Sequence, residues 1–116
     1  MKQVILIVLI SLLGSSLISC QEDDVAAGTP ACIEDAIRKI KGEEPRNPPA
    51  EVWKLTVEKA TYYYIPPDCC DQFSELYDLN CNLVCSPDGG LTGQGSGNCP
   101  PLENAERELI WQDDRE

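Results

Sequence analysis

Hydrophobic positions fall into a different pattern in each stretch of the chain, and each pattern predicts an element. Val4 to Leu13 (VILIVLISLL) is an almost unbroken apolar run. Past residue 28 the apolar positions become periodic. Ile33, Ala36, Ile37 and Ile40 fall on one stripe at helical spacing. Thr29-Pro30 supplies a capping hydroxyl and a proline for the first helical position, and Gly42 supplies the stop. Glu34 and Asp35 lie early while Arg38, Lys39 and Lys41 lie late, as the helix dipole favours. After a proline-rich connector (GEEPRNPPA), the period changes to two. Trp53, Leu55 and Val57 alternate with Lys54, Thr56 and Glu58, predicting a half-buried strand. Ala60 to Ile65 (ATYYYI) predicts a second strand, joined by a turn at Glu58-Lys59 and stopped by Pro66-Pro67. Residues 68–78 fit either a short helical turn or a strand. The preferred reading is a tight turn at Cys69 to Gln72 followed by a hairpin running through Asn80 to Cys85. Ser86 to Asn98 (SPDGGLTGQGSGN) has five glycines and predicts a loop, and Leu109-Ile110-Trp111 predicts a tail docked on the sheet. The expected fold is a small α+β domain, with one N-terminal helix packed on a short antiparallel sheet of two hairpins and a Gly-rich loop.

The first apolar run is too short to span a membrane, which takes about 20 apolar residues for a hydrocarbon core of roughly 30 Å. Lys2 before it and Gly14, Ser15 and Ser16 after it match a secretory signal. Leu17-Ile18-Ser19-Cys20 resembles the lipobox of bacterial lipoproteins. That resemblance implies cleavage before Cys20, a diacylglyceryl thioether on its sulfur and an acylated amino group. Residues 1–19 are then a lipoprotein signal peptide, 20–28 an acidic flexible tether and 29–116 a single cysteine-rich domain. Gln21, Glu22, Asp23 and Asp24 gain nothing beside anionic head groups, which attract basic segments. A solvated spacer is one account of them. They also resemble the acidic signal behind the lipid-bearing cysteine of surface-exported Bacteroidota lipoproteins. The location implied is the outer membrane, lipid-anchored and exposed at the cell surface, with a periplasm-facing anchor as the alternative.

Charge and cysteines narrow the classes further. The chain from Cys20 onward has 97 residues, 8 basic and 20 acidic. Such a balance excludes nucleic acid as a partner, because that binding rests on basic groups neutralising phosphates. Besides Cys20 there are six cysteines: Cys32, Cys69, Cys70, Cys81, Cys85 and Cys99. An even number in a small exported chain reads as a disulfide framework that supplements a limited core. A ring joining adjacent Cys69 and Cys70 would be strained, which sets that pairing aside and leaves many arrangements open. Zinc is disfavoured by the absence of a C-x₂-C pattern.

Little in the sequence points to catalysis. There is no histidine, which removes Ser-His and Cys-His nucleophilic arrangements and histidine metal ligation. Asp68, Asp71, Glu75 and Asp78 read as a solvated acidic face. The glycine-rich segment lacks the G-K-[ST] of a phosphate loop and the D-x-[DN]-x-[DN]-G of a calcium loop. No cofactor or metal is expected. The candidate binding residues are Asp88, Gly89 and Gly90 of that loop, the glycines permitting a turn with positive φ, together with Tyr62 and Tyr64. Successive rings of a Tyr62-Tyr63-Tyr64 strand point to opposite faces, so at least one is expected to face solvent.

Two further resemblances bear on function. Val84-Cys85-Ser86-Pro87-Asp88-Gly89 with Thr92 resembles the V-C-G-x-D-G-x-T-Y-x-N-x-C segment of Kazal protease inhibitors. Here Gly93 stands at the tyrosine and Asn98 abuts Cys99 directly. Cys69-Cys70-Asp71-Gln72, Cys85-x-Pro87-Asp88-Gly89-Gly90 and Thr92-Gly93-x-Gly95-x-Gly97-x-Cys99 are together similar to a family of small uncharacterised Bacteroidota lipoproteins. Its shared domain carries CCDQ, CxPDGG and TGxGxGxC, and the likeness implies class and location without an activity. The expected function is a non-enzymatic module that binds an extracellular protein or glycan, touching the membrane through its lipid alone. The alternative is a protease-inhibitor-like module presenting loop 86–98.

Overall fold

The computed structural model describes residues 25–69 and 71–115. Residues 1–19, where a signal peptide is expected, Cys20, the acidic Gln21–Asp24 run and Cys70 lie outside the described residues. Helix α1 runs Ala31–Lys41, followed by five strands: β1 Glu51–Val57, β2 Ala60–Ile65, β3 Glu75–Asp78, β4 Leu83–Cys85 and β5 Glu106–Gln112. They form one antiparallel sheet in the order β4-β3-β2-β1-β5. This is the expected small α+β domain, stapled by Cys32–Cys81 and Cys85–Cys99. Cys69 is also disulfide-bonded.

The helix stripe is buried as its spacing requires, with Ile33, Ile37 and Ile40 packed against Val52, Tyr63, Ile65, Ile110 and Trp111. The helix start differs from expectation. Pro30 occupies the N-cap and no side chain caps the turn, because Thr29 Oγ1 donates instead to the Ala26 carbonyl at 2.7 Å. Gly42 closes the helix in a right-handed conformation, its N–H donating to Arg38 and Lys39 carbonyls. The last carbonyls also meet the tail. Arg115 donates to the Ile40, Lys41 and Glu43 carbonyls, and its guanidinium forms a two-pronged pair with buried Asp113. A cation there suits the carbonyl-rich C-terminal end of the helix, where the Ile40 carbonyl also accepts from Glu43 N–H.

The opposite face of the sheet is covered as well. Leu55, Leu76 and Cys85 form a second cluster with Trp53, Tyr62 and Tyr64, closed over by Cys99, Leu102 and Ala105. The hairpin reading of the segment after residue 72 holds, with the turn marked by Gln72 N–H donating to the Cys69 carbonyl at 2.9 Å. The docked tail is a strand, β5, paired along β1 through a register shift between Val52 and Trp53. Helix start and strand ends together give the domain two distinct ends. Disulfide Cys32–Cys81 brings the first turn of α1 to the β3–β4 turn. At the other end lie the last turn of α1, Pro66-Pro67, Gln72 and Phe73.

Candidate functional site

The loop between Cys85 and Cys99 owes its order to polar contacts and not to regular structure. Ser74, fully buried just before β3, is the latch. Its hydroxyl accepts from Asp88 N–H and donates to the Asp88 carbonyl, and its own N–H donates to that same carbonyl, each at 3.0 Å. Ser96 closes the loop neck, its N–H donating to the Ser86 carbonyl at 2.8 Å while its Oγ accepts from Ser86 N–H. Gly89 and Gly90 both take positive φ, at 92° and 77°, as expected for this turn. Gly90 N–H donates to the Gln72 carbonyl, docking the loop on the segment entering β3.

Of the five candidate binding residues, two hold each other. Tyr64 O–H donates to the Asp88 carboxylate, whose oxygens lie 2.9 and 2.8 Å away. Burial, and then that hydrogen bond to the carboxylate, push the Tyr64 hydroxyl well above the usual tyrosine range. Asp88 and Tyr64 therefore fix the loop to the sheet. Gly89 has the same structural character, since a Cβ there would lie 2.2 Å from the Gln72 carbonyl oxygen and 2.9 Å from Phe73 Cα. Tyr62 packs in the second cluster. The expected solvent-facing tyrosine is absent: Tyr63 is buried and Tyr62 and Tyr64 are half-buried. The reason is that helix and loop cover both faces of the sheet, leaving no exposed tyrosine face in β2 for stacking.

Exposed apolar surface lies elsewhere. Gly93 N–H donates to the Gly90 carbonyl at 3.2 Å, closing a turn with Leu91 and Thr92 at its centre. Leu91 is 88% exposed on that turn, and Phe73, whose ring lies over Gly90, is 55% exposed. Phe73 also rims a cleft of about 290 Å³ between the last turns of α1 and the Pro66-Pro67 segment. Arg46 is largely buried in this cleft, donating to Glu43 at 3.3 Å and holding its Nε 3.6 Å from Asp68. Lys39, Gln72 and Glu75 complete its polar rim. Neither Leu91 nor Phe73 is marked as surface by its own apolar character, which reads equally well as core. For Leu91 the available signal is Gly90 before it and Gly93 two residues after it, both with positive φ, since such turns lie at the surface. Phe73, between Gln72 and Ser74, carries no such mark. Among the described residues, no group of three His, Cys, Asp or Glu side chains converges as a metal site.

A family profile described as a domain of unknown function, DUF6970, matches residues 38–113. The chain belongs to the DUF6970 family. No curated protein and no solved structure matches. The DUF6970 span takes in all five strands, the cleft apart from Ala36, the Ser74 latch and the whole Cys85–Cys99 loop. It begins at Arg38, so the first turns of α1 with Cys32 precede it, and Arg115 follows it.

Proposed function

We propose that this DUF6970 protein is a lipid-anchored, non-enzymatic binding module displayed at the cell surface, engaging an extracellular protein or glycan. The observation that carries the reading is Leu91, held 88% exposed on a turn closed by hydrogen bonds and flanked by a disulfide. A loop fixed before contact loses little conformational freedom on binding, which favours affinity. Phe73, its ring over the adjoining Gly90, adds a second exposed apolar side chain at the rim of the cleft. The anchor rests on the lipobox-like Leu17-Ile18-Ser19-Cys20, and outward display on Gln21, Glu22, Asp23 and Asp24. The turn and cleft lie at the end of the sheet away from the first turn of α1, where the tether enters, so a partner approaches unobstructed.

The test is a pull-down from culture medium and a glycan array, comparing wild type with Leu91→Ser and Phe73→Ser. Loss of the captured partner in both variants, with unchanged thermal unfolding, is the expected result. Capture that survives both substitutions rejects this surface. The protease-inhibitor reading draws on the same exposed Leu91. It is disfavoured by the Gly90–Gly93 turn, since a protease cleft takes its substrate backbone extended. Stoichiometric inhibition of a secreted protease, lost on Leu91→Ser, is the result that supports it.

A further inference from the structure

We infer that the β3–β4 turn is a membrane-resting tip, whose Leu79 and Leu83 sit in the lipid head-group layer. This rests on the lipid anchor at Cys20. Leu79 and Leu83 are 55% and 57% exposed, two residues either side of Cys81. The disulfide from Cys81 reaches Cys32 in the first turn of α1, with their Cα atoms 5.8 Å apart. Five residues, Ala26 to Pro30, lead into that turn from Val25, which packs against the helix-side core. Only five peptide steps separate Val25 from Cys20, a reach of about 18 Å when fully extended. An acylated Cys20 tethers the domain through the chain that enters at this end, and among the described residues these two leucines are the large exposed apolar side chains there.

The chemistry of the tip suits an interface and not an ionic contact. Leu79 to Cys85 (LNCNLVC) contains no charged residue in a chain of net charge −11. Asp78, the acid beside it, already accepts from the N–H groups of Asn80 and Asn82, at 2.8 and 2.9 Å. Glu34 and Asp35 in the first turns of α1 add negative charge, so anionic lipid does not strengthen the contact. Apolar burial draws the leucines in, as with other shallow interfacial anchors. Phe73 and Leu91 lie toward the far end of β3, five residues or about 17 Å along the strand from Asp78. The tip thus sets an orientation, with the candidate binding surface turned outward.

The experiment places the mature lipidated chain in lipid nanodiscs containing a gadolinium-chelating head group, with leucine and valine methyls labelled for NMR. Attenuation falls with the sixth power of distance, so the Leu79 and Leu83 methyls are expected to lose intensity severalfold more than Leu91. A second variant, Leu79→Ser with Leu83→Ser, is read through Val84, whose attenuation should fall toward that of Leu91 as the tip lifts. Raising the anionic lipid fraction should leave the wild-type contrast unchanged. Equal attenuation of tip and Leu91 methyls, or greater attenuation at Leu91, overturns the inference with the anchor intact. Failure of the anchor itself shows differently, as a Cys20 without fatty acid by intact mass and a protein that stays off the discs.

Discussion

Replacing Gly89 with alanine tests whether the loop is built for packing at its base and for presentation at its tip. Two costs add at Gly89. Its φ of 92° lies where an L side chain loses about 1–2 kcal/mol. A Cβ would also lie 2.2 Å from the Gln72 carbonyl oxygen and 2.9 Å from Phe73 Cα. Both are backbone atoms that no rotamer change relieves, and overpacking of this kind costs about 1–3 kcal/mol. Together these give about 2–5 kcal/mol. Gly93 is the control, because it has φ 77° with nothing within 4 Å of a built Cβ. It should lose only the backbone cost, about 1–2 kcal/mol. In a domain of this size each kcal/mol lowers the melting temperature by about 4–8 °C. Gly89→Ala is therefore expected to melt about 10 °C or more below wild type, and roughly twice as far below as Gly93→Ala. The assay is thermal unfolding by circular dichroism under non-reducing conditions. Equal melting temperatures for the two variants would refute the docking of Gly89 on the 72–73 backbone as a source of stability.

Further outcomes follow from burial and the hydrogen-bond network. Tyr64→Phe strands the half-buried Asp88 carboxylate, and a stability loss of about 1–3 kcal/mol in urea unfolding is expected; in an ultraviolet pH titration of wild type, Tyr64 should ionise last. Asp78 and Asp113 are held below the usual carboxylate range, the first by Asn82 N–H and the second by Arg115. Their contribution is full above the unfolded value near pH 4 and is lost as pH falls through the folded values, so melting temperature should drop below about pH 4. Burial raises the Tyr63, Tyr64 and Tyr77 hydroxyls, and stability should likewise fall as pH rises above about 10. Arg115→Met should lower the melting temperature and speed amide exchange in the last turn of α1, whose carbonyls Arg115 binds; unchanged exchange there counts against the clamp.

Local periodicity carried most of the fold and little of the site. The helix stripe at Ile33, Ile37 and Ile40 and the alternation of Trp53, Leu55 and Val57 are each set within a few residues, so the sequence displays them directly. Residues 109–111 show apolar character but not a strand, because the bulge opposite Val52 breaks the alternation that would mark one. Thr29 has the chemistry of a cap, yet a turn back to Ala26 captures its hydroxyl. The tyrosines illustrate a different limit. Alternation fixes which rings share a face, but whether that face is wet depends on Cys99 to Ala105 folding over it, some forty residues away. Ser74 and Arg115 were illegible for the same reason, since their partners lie 14 and about 75 residues distant.

The two described disulfides divide the work between the ends of the domain. Cys32–Cys81 closes 49 residues and Cys85–Cys99 closes 14. By chain entropy these constrain the unfolded state by about 4 and about 3 kcal/mol. The longer staple adds what a small core cannot, because it ties the helix to the far hairpin across the whole helix-side cluster. The shorter one closes a loop whose backbone is already hydrogen-bonded through Ser74, Ser86 and Ser96. Much of its value is then local, holding the Leu91 turn in one arrangement in the folded state. A fold needing only stability gains more from closing longer loops. Placing a staple around the Gly-rich segment is understandable if the turn it holds must keep its shape when a partner arrives, as the binding proposed for Leu91 would require.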